Sequence, residues 1–233
     1  MRSLIAALLA LLTPAMASAQ ALKCDVPAQL PRPVFDGPSD REPVRRMPVG
    51  SYTLALIWAP QECRAYGRNP DNRFLCASGN RFGFFLHGLW PDGEGTSWPQ
   101  YCAPVALLPP AVIRQNICAT PVVQRLQHEW AKHGPCMSRR PEDYFAASTG
   151  LYNKLRYPDM QALSRAPALT AGRFAQAFAA ANPGLRANMI KVRTNRQGWL
   201  EEVWLCLDKG RRYMRCKPNS GGMPAGARLR IWR

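Results

Sequence analysis

Eight cysteines follow a secretory leader in this chain, and that combination constrains the fold more than any other feature. The leader has Arg2, then an unbroken apolar run from Leu4 to Leu12, then the small-x-small site Ala17-Ser18-Ala19. The run is far shorter than the roughly 20 residues a membrane-spanning helix needs, so it reads as a signal peptide, residues 1–19, cleaved after Ala19. Cys24, Cys63, Cys76, Cys102, Cys118, Cys136, Cys206 and Cys216 all lie in the 214 residues that remain. An even number in an exported chain points to disulfides in an oxidising compartment, with about 105 pairings open to eight cysteines. No Cys-x-x-Cys pair occurs, which speaks against zinc held by thiolates.

Residues 20–50 read as an extended N-terminal arm, because Pro31, Pro33, Pro38, Pro43 and Pro48 interrupt any regular element. Strand composition follows at Ser51 to Ala59 and Arg81 to His87, with a polar loop between them that Cys63 and Cys76 could close locally. Pro91 to Pro110 is rich in turn residues. Helical spacing then dominates: Val122 to His133, Glu142 to Leu155, and Arg173 to Ala181, the last ending at Asn182-Pro183-Gly184. Strands return near Met189 to Arg193, Trp199 to Leu207, Arg212 to Cys216, and Leu229 to Trp232. This order predicts one α+β domain, residues 51–233, with a central, mostly antiparallel sheet packed against several helices and fastened by disulfides.

The formal charge is +16, and 25 of the 31 basic residues are arginine. Such a surplus favours polyanionic partners, and the planar guanidinium suits phosphate. Genomic base composition or solubility would produce the same excess, so charge alone does not establish a nucleic-acid partner.

The three histidines are more pointed. His87 lies in FFLHGLWPDG, at the end of a strand beside a Trp-Pro-Asp turn, while His128 and His133 lie in HEWAKHGPC. Stepping about 100° per residue from His128 puts Lys132 near 40°, Glu129 near 100° and His133 near 140°, one arc on the flank of the apolar stripe of Leu126 and Trp130. Gly134-Pro135 ends the helix just beyond. A zinc protease would need its second histidine four residues after the first, where this chain has the cation Lys132.

Imidazoles, a carboxylate and a lysine beside a basic surface suit phosphodiester cleavage without a metal, provided the substrate brings its own nucleophile. RNA does so with its 2′-hydroxyl. A neutral imidazole can remove that proton and a protonated one can supply the leaving 5′-oxygen, since both forms coexist near a reference pKa of about 6.5. Lys132 would offset the charge building on phosphorus. DNA should be inert.

HGLWPDG (His87 to Gly93) followed by HEWAKHGPC (His128 to Cys136) resembles the two active-site segments of the ribonuclease T2 family. The resemblance implies that His133 is the base and His87 the acid, that His128 binds phosphate, and that Glu129 and Lys132 assist the transition state. It also implies two steps, a 2′,3′-cyclic phosphate and then a 3′-phosphate, with no cofactor and no metal. Trp90 and Asp92 match positions that hold a base, by stacking and by hydrogen bonds to its edge, and Trp98 or Tyr101 is the candidate for a second aromatic wall. Pro135 departs from the small or hydroxyl residue common in the family before this cysteine. The pairing expected alongside the resemblance is Cys102 with Cys136, Cys206 with Cys216, Cys63 with Cys76, and Cys24 with Cys118.

The expectation is thus a monomeric endoribonuclease of low base specificity that acts on single-stranded RNA, with no membrane attachment and no protein partner readable from the sequence. It would be secreted or periplasmic; the lack of any Asn-x-Ser/Thr sequon leans toward a bacterial envelope. A basic RNA- or polyanion-binding protein of the same fold without turnover is the alternative, disfavoured because all five catalytic positions are filled.

Overall fold

The computed structural model describes residues 21–218 and 220–233, so the signal peptide assigned to residues 1–19 lies outside the described residues. Among the described residues there are six strands: β1 (Ala21–Lys23), β2 (Ser51–Trp58), β3 (Arg81–Phe82), β4 (Phe84–Asp92), β5 (Ile190–Thr194) and β6 (Leu200–Leu207). A four-stranded sheet runs in the order β4-β2-β6-β5, and β1 pairs separately with β3. Every pairing is antiparallel.

One face of the large sheet carries Leu54, Leu56, Leu86, Leu89, Val203, Leu205 and Leu207 into the main core. Between Ala55 and Leu56 the β2–β4 register slips, so that Ala55 faces Gly88, Leu56 faces Leu86, and His87 has no partner across the ladder. A bulge of this kind reverses the alternation of a strand from that point on. Leu86 and Leu89, three residues apart, therefore both enter the core, while His87 and Trp90 share the opposite face with their rings 4.9 Å apart. The sequence reading ended the strand at His87 and placed a turn at Trp-Pro-Asp; the strand instead continues to Asp92. It can do so because β4 is an edge strand, where a proline's missing N–H costs no ladder bond.

Among the described residues there are seven helices: α1 (Ala59–Tyr66), α2 (Arg73–Cys76), α3 (Pro110–Asn116), α4 (Val123–Lys132), α5 (Pro141–Tyr152), α6 (Met160–Arg165) and α7 (Ala171–Ala180). The three expected from periodicity are α4, α5 and α7. The stretch between Cys63 and Cys76, read as a polar loop, holds the end of α1 and all of α2; Pro60 sits in the first turn of α1, where a proline is preorganised for a helix. The strands expected at Arg212 to Cys216 and Leu229 to Trp232 do not form. These segments meet the chain at the two ends of β6 only through isolated bridges, Leu207 to Tyr213 and Trp199 to Arg230.

The disulfides are Cys24–Cys118, Cys63–Cys76, Cys102–Cys136 and Cys206–Cys216, the pairing expected from the resemblance. Residues 24–50 contain no helix and lie against the domain through contacts such as Val34 N–H to Gln124 Oε1 at 2.9 Å and the bridge between Arg45 and Gln100. No described helix is long and apolar enough to cross a membrane.

Candidate active site

The face of the sheet turned away from the core forms the floor of a cleft of about 740 Å³. His87, Trp90 and Asp92 enter it from β4, and His128, Glu129, Lys132 and His133 from α4 and its end, so all seven residues singled out in the sequence line one opening. Trp98 lines it too, whereas Tyr101 does not: it is buried beneath, its hydroxyl donating to Asp36 Oδ1 at 3.1 Å and Glu42 Oε2 at 3.3 Å. Tyr101 is therefore excluded as an aromatic wall.

Two glycines are required for this convergence. A Cβ at Gly88 would run into the Glu129 carboxylate, and one at Gly134 would run into the Trp130 ring. The first lets α4 sit close against β4, and the second lets the chain leaving α4 turn tightly over the Trp130 ring. The His133 N–H closes the helix onto the Glu129 and Trp130 carbonyls, and Gly134–Cys136 turns the chain into the Cys102–Cys136 bridge.

Trp90 stands between the two outer imidazoles, 4.9 Å from the His87 ring centroid and 5.7 Å from that of His133. Its indole N–H donates to Glu129 Oε2 at 2.8 Å, and its edge meets Trp204 at 5.2 Å. Glu129 is only 2% exposed, not at the rim where the helical wheel put it. Burial pushes its carboxyl up to about 8, against the opposing pull of the Trp90 N–H and the Arg125 and Lys132 cations. His133 is 6% exposed, and its Nδ1 has no hydrogen-bond partner in the structure. Burial first, then the neighbouring Lys132 and the other histidines, hold it well below the ordinary histidine value, so the ring is neutral at pH 7.

His87 differs in having a carboxylate partner. Its Nδ1 is 2.7 Å from Glu202 Oε1, and its Nε2 lies 3.1 Å from Arg125 Nη1 and 3.5 Å from Glu129 Oε1. Burial lowers its pKa, the Glu202 bond opposes that, and Arg125 adds to it. For Glu202 itself, burial raises the carboxyl, but the bonds with His87 and Trp204 outweigh it and leave a net lowering.

The arm completes the surroundings: Asp36 Oδ2 lies 3.1 Å from His128 Nδ1, and Glu42 is ion-paired with Lys132. At the far end of the cleft, Asp92 accepts a bond from the Thr53 hydroxyl at 2.8 Å, and burial raises its carboxyl. Lys191 and Lys217 make the rim basic. No group of three or more His, Cys, Asp or Glu side chains among the described residues is arranged to hold a metal ion.

Sequence reasoning missed Arg125, Glu202, Trp204, Asp36 and Glu42. Arg125 was within reach, since the same wheel puts it at about 60°, inside the arc of ionisable groups. Glu202 and Trp204 follow the two-residue period of the cleft-facing side of β6, a weaker signal. Nothing in the order of residues connects the arm carboxylates to a helix some ninety positions later.

Set beside known proteins, the chain is 31% identical over 183 residues to a protein named probable ribonuclease from Haemophilus influenzae, a match covering 74% of this chain. It spans 62% of the length of that curated relative. The fold is shared with the RNase-related protein from Calystegia sepium, at a TM-score of 0.62 and 22% identity, covering 81% of this chain and 100% of that one. It is shared also with RNase NT, solved in complex with 5′-AMP, at a TM-score of 0.59 and 22% identity, covering 79% and 98%. The family model described as Ribonuclease T2 family matches residues 49–216, most of the chain and every residue of the cleft named in the two motifs, and the chain belongs to that family.

Proposed function

We propose that this protein is an endoribonuclease that cleaves single-stranded RNA by attack of the 2′-hydroxyl on the adjacent phosphorus, with no metal and little base specificity. The observation that carries this reading is the pair of imidazoles, His87 and His133, facing one cleft with Trp90 between them and with His128 and Lys132 beside them. His133 is the base: burial first, and then the neighbouring cations, keep its ring neutral and so able to take a proton. It removes the 2′-hydroxyl proton as that oxygen bonds to phosphorus. His87 is the acid, because it alone of the two has a carboxylate that favours the protonated ring. It protonates the 5′-oxygen as the P–O5′ bond breaks, leaving a 2′,3′-cyclic phosphate. Water then opens the ring with the two roles exchanged, giving a 3′-phosphate.

His128 and Lys132 bind the phosphate and offset charge on the pentavalent phosphorus. Glu129 stays buried against Trp90 and His87, and its raised pKa lets it share a proton with the site near neutral pH. Trp90 and Asp92 hold a splayed base by stacking and edge contacts, the usual means of gripping single-stranded RNA. Residues 1–19 direct export to the periplasm or medium, residues 20–50 are an arm, and residues 51–233 form the catalytic domain. Incubation with RNA and DNA in excess chelator tests the reading: acid-soluble fragments from RNA alone support it. Binding of RNA with no fragments at all would leave a polyanion-binding protein instead.

A further inference from the structure

We infer that Glu202 and Arg125 are an opposed pair of positioning residues that fix the tautomer and set the acidity of His87. The proposal deepens the ribonuclease reading and rests on it for the role of His87, while its structural content stands on hydrogen bonding alone.

Glu202 reaches His87 from two strands away. The sheet order is β4-β2-β6, and the register sets Ala55 of β2 opposite both Gly88 and Trp204. Glu202 itself stands opposite Ile57, and its side chain reaches diagonally across β2, past the methyl group of Ala55, to the His87 ring in the bulge. The carboxylate is held at both oxygens: Oε1 is 2.7 Å from His87 Nδ1, and Oε2 accepts the Trp204 indole N–H at 2.6 Å. On the other side of the ring, Arg125 Nη1 lies 3.1 Å from Nε2, and its Nη2 donates to Glu62 Oε1 at 2.8 Å.

The two shortest contacts of the ring, to Glu202 and Arg125, favour one assignment of protons. A guanidinium only donates, so Nε2 must offer a lone pair, and a carboxylate only accepts, so Nδ1 must carry the hydrogen. The resting ring is therefore neutral with its proton on Nδ1, the reverse of the tautomer favoured by free histidine. Nε2 is then the atom that takes up and delivers the second proton. Glu202 favours that proton by charge and hydrogen bond, and Arg125 opposes it. A group balanced in this way has the moderate acidity that suits proton delivery to a leaving oxygen near neutral pH. The remaining groups facing the ring are Glu129 and His128 on α4, with Glu62 of α1 acting through Arg125 and His133 lying beyond Trp90.

The test uses the full mature chain and the 15N-edited NMR spectra of its three histidines, with His87 assigned by its loss in His87→Asn. In the wild type at neutral pH, Nδ1 is expected to be protonated and Nε2 bare. Glu202→Gln keeps an acceptor for Trp204 but removes the charge, so the His87 titration moves to lower pH. Arg125→Gln removes the opposing cation, so the titration moves to higher pH. Should Glu62 destabilise that variant, Glu62→Gln/Arg125→Gln removes the ion pair as a unit and carries the same expectation. The alkaline limb of kcat/KM follows the same opposite shifts, kcat falls about 10-fold or more in Glu202→Gln with KM little changed, and Glu202→Asp restores part of it. Shifts in the same direction, no shift, or a neutral His87 protonated on Nε2 would overturn the inference. A wild type that shows the expected titrations but leaves RNA intact would instead overturn the ribonuclease reading.

Discussion

Replacing Glu129 with Gln should make the protein more resistant to alkaline destabilisation while weakening its chemistry. In the folded chain the carboxyl is pushed up to about 8 by burial, against 4.5 for the ordinary group. A group raised in this way contributes stability that is fully present below about 4.5 and is lost progressively as the pH climbs through about 8. The interval from 4.5 to about 8 corresponds to about 5 kcal/mol lost across it, an upper limit because the unfolded chain retains some structure. Glutamine keeps an acceptor for the Trp90 N–H and never ionises. The two depressed imidazoles, His87 and His133, work in the other sense, losing stability as the pH falls below about 6.5, but both proteins share them. Subtracting one curve from the other isolates Glu129. Reversible urea unfolding from pH 4 to 9 should give a Glu129→Gln minus wild-type difference that rises steadily, equivalent to roughly 10 °C or more in midpoint at the alkaline end. Parallel curves would refute the reasoning, since they would mean that the carboxylate is ionised in the fold without penalty.

Other perturbations follow from the same geometry. Gly88→Ala should destabilise by about 2 kcal/mol and cut turnover, because the added methyl displaces the Glu129 carboxylate; an unchanged unfolding midpoint and rate would contradict that packing. Cys102→Ser/Cys136→Ser opens a bridge between residues 34 apart and should cost about 4 kcal/mol of unfolding free energy measured in urea, with kcat falling because the end of α4 is no longer pinned. RNA cleavage should survive excess chelator but fall steeply with added salt, as the basic rim of the cleft loses its hold on the backbone. Full inhibition by chelator would sink the metal-free mechanism.

Much of the site could be read from the sequence because its chemistry is concentrated in two short segments. On α4, one helical arc carries His128, Glu129 and Lys132, with His133 at its end, and helical periodicity is a local property of the chain. β4 was harder. Its alternation is reset at His87 by a bulge that depends on pairing with β2, so the sequence period suggested a turn where the strand continues. Glu202, Asp36 and Glu42 were out of reach for a different reason: their partners lie 92 to 115 residues away for Asp36 and Glu202, and tertiary packing alone brings them together. The short helices α1, α2, α3 and α6 escaped because one or two turns leave little periodic trace. Leu229 to Trp232 has strand composition, but it touches the chain beside β6 at a single bridge, Trp199 to Arg230, which is a tertiary contact the sequence does not announce.

Central to the account is an exchange of protons between His133 and His87 around a 2′-hydroxyl attack. The most direct test is 31P NMR of a short oligoribonucleotide incubated with the protein in chelator, alongside its 2′-O-methyl counterpart. The account predicts a transient 2′,3′-cyclic phosphate followed by a 3′-phosphate from the first and no reaction with the second. It also predicts that His87→Ala and His133→Ala each lose at least about 100-fold in rate. Cleavage of the methylated strand, or near-normal turnover in either variant, would contradict it.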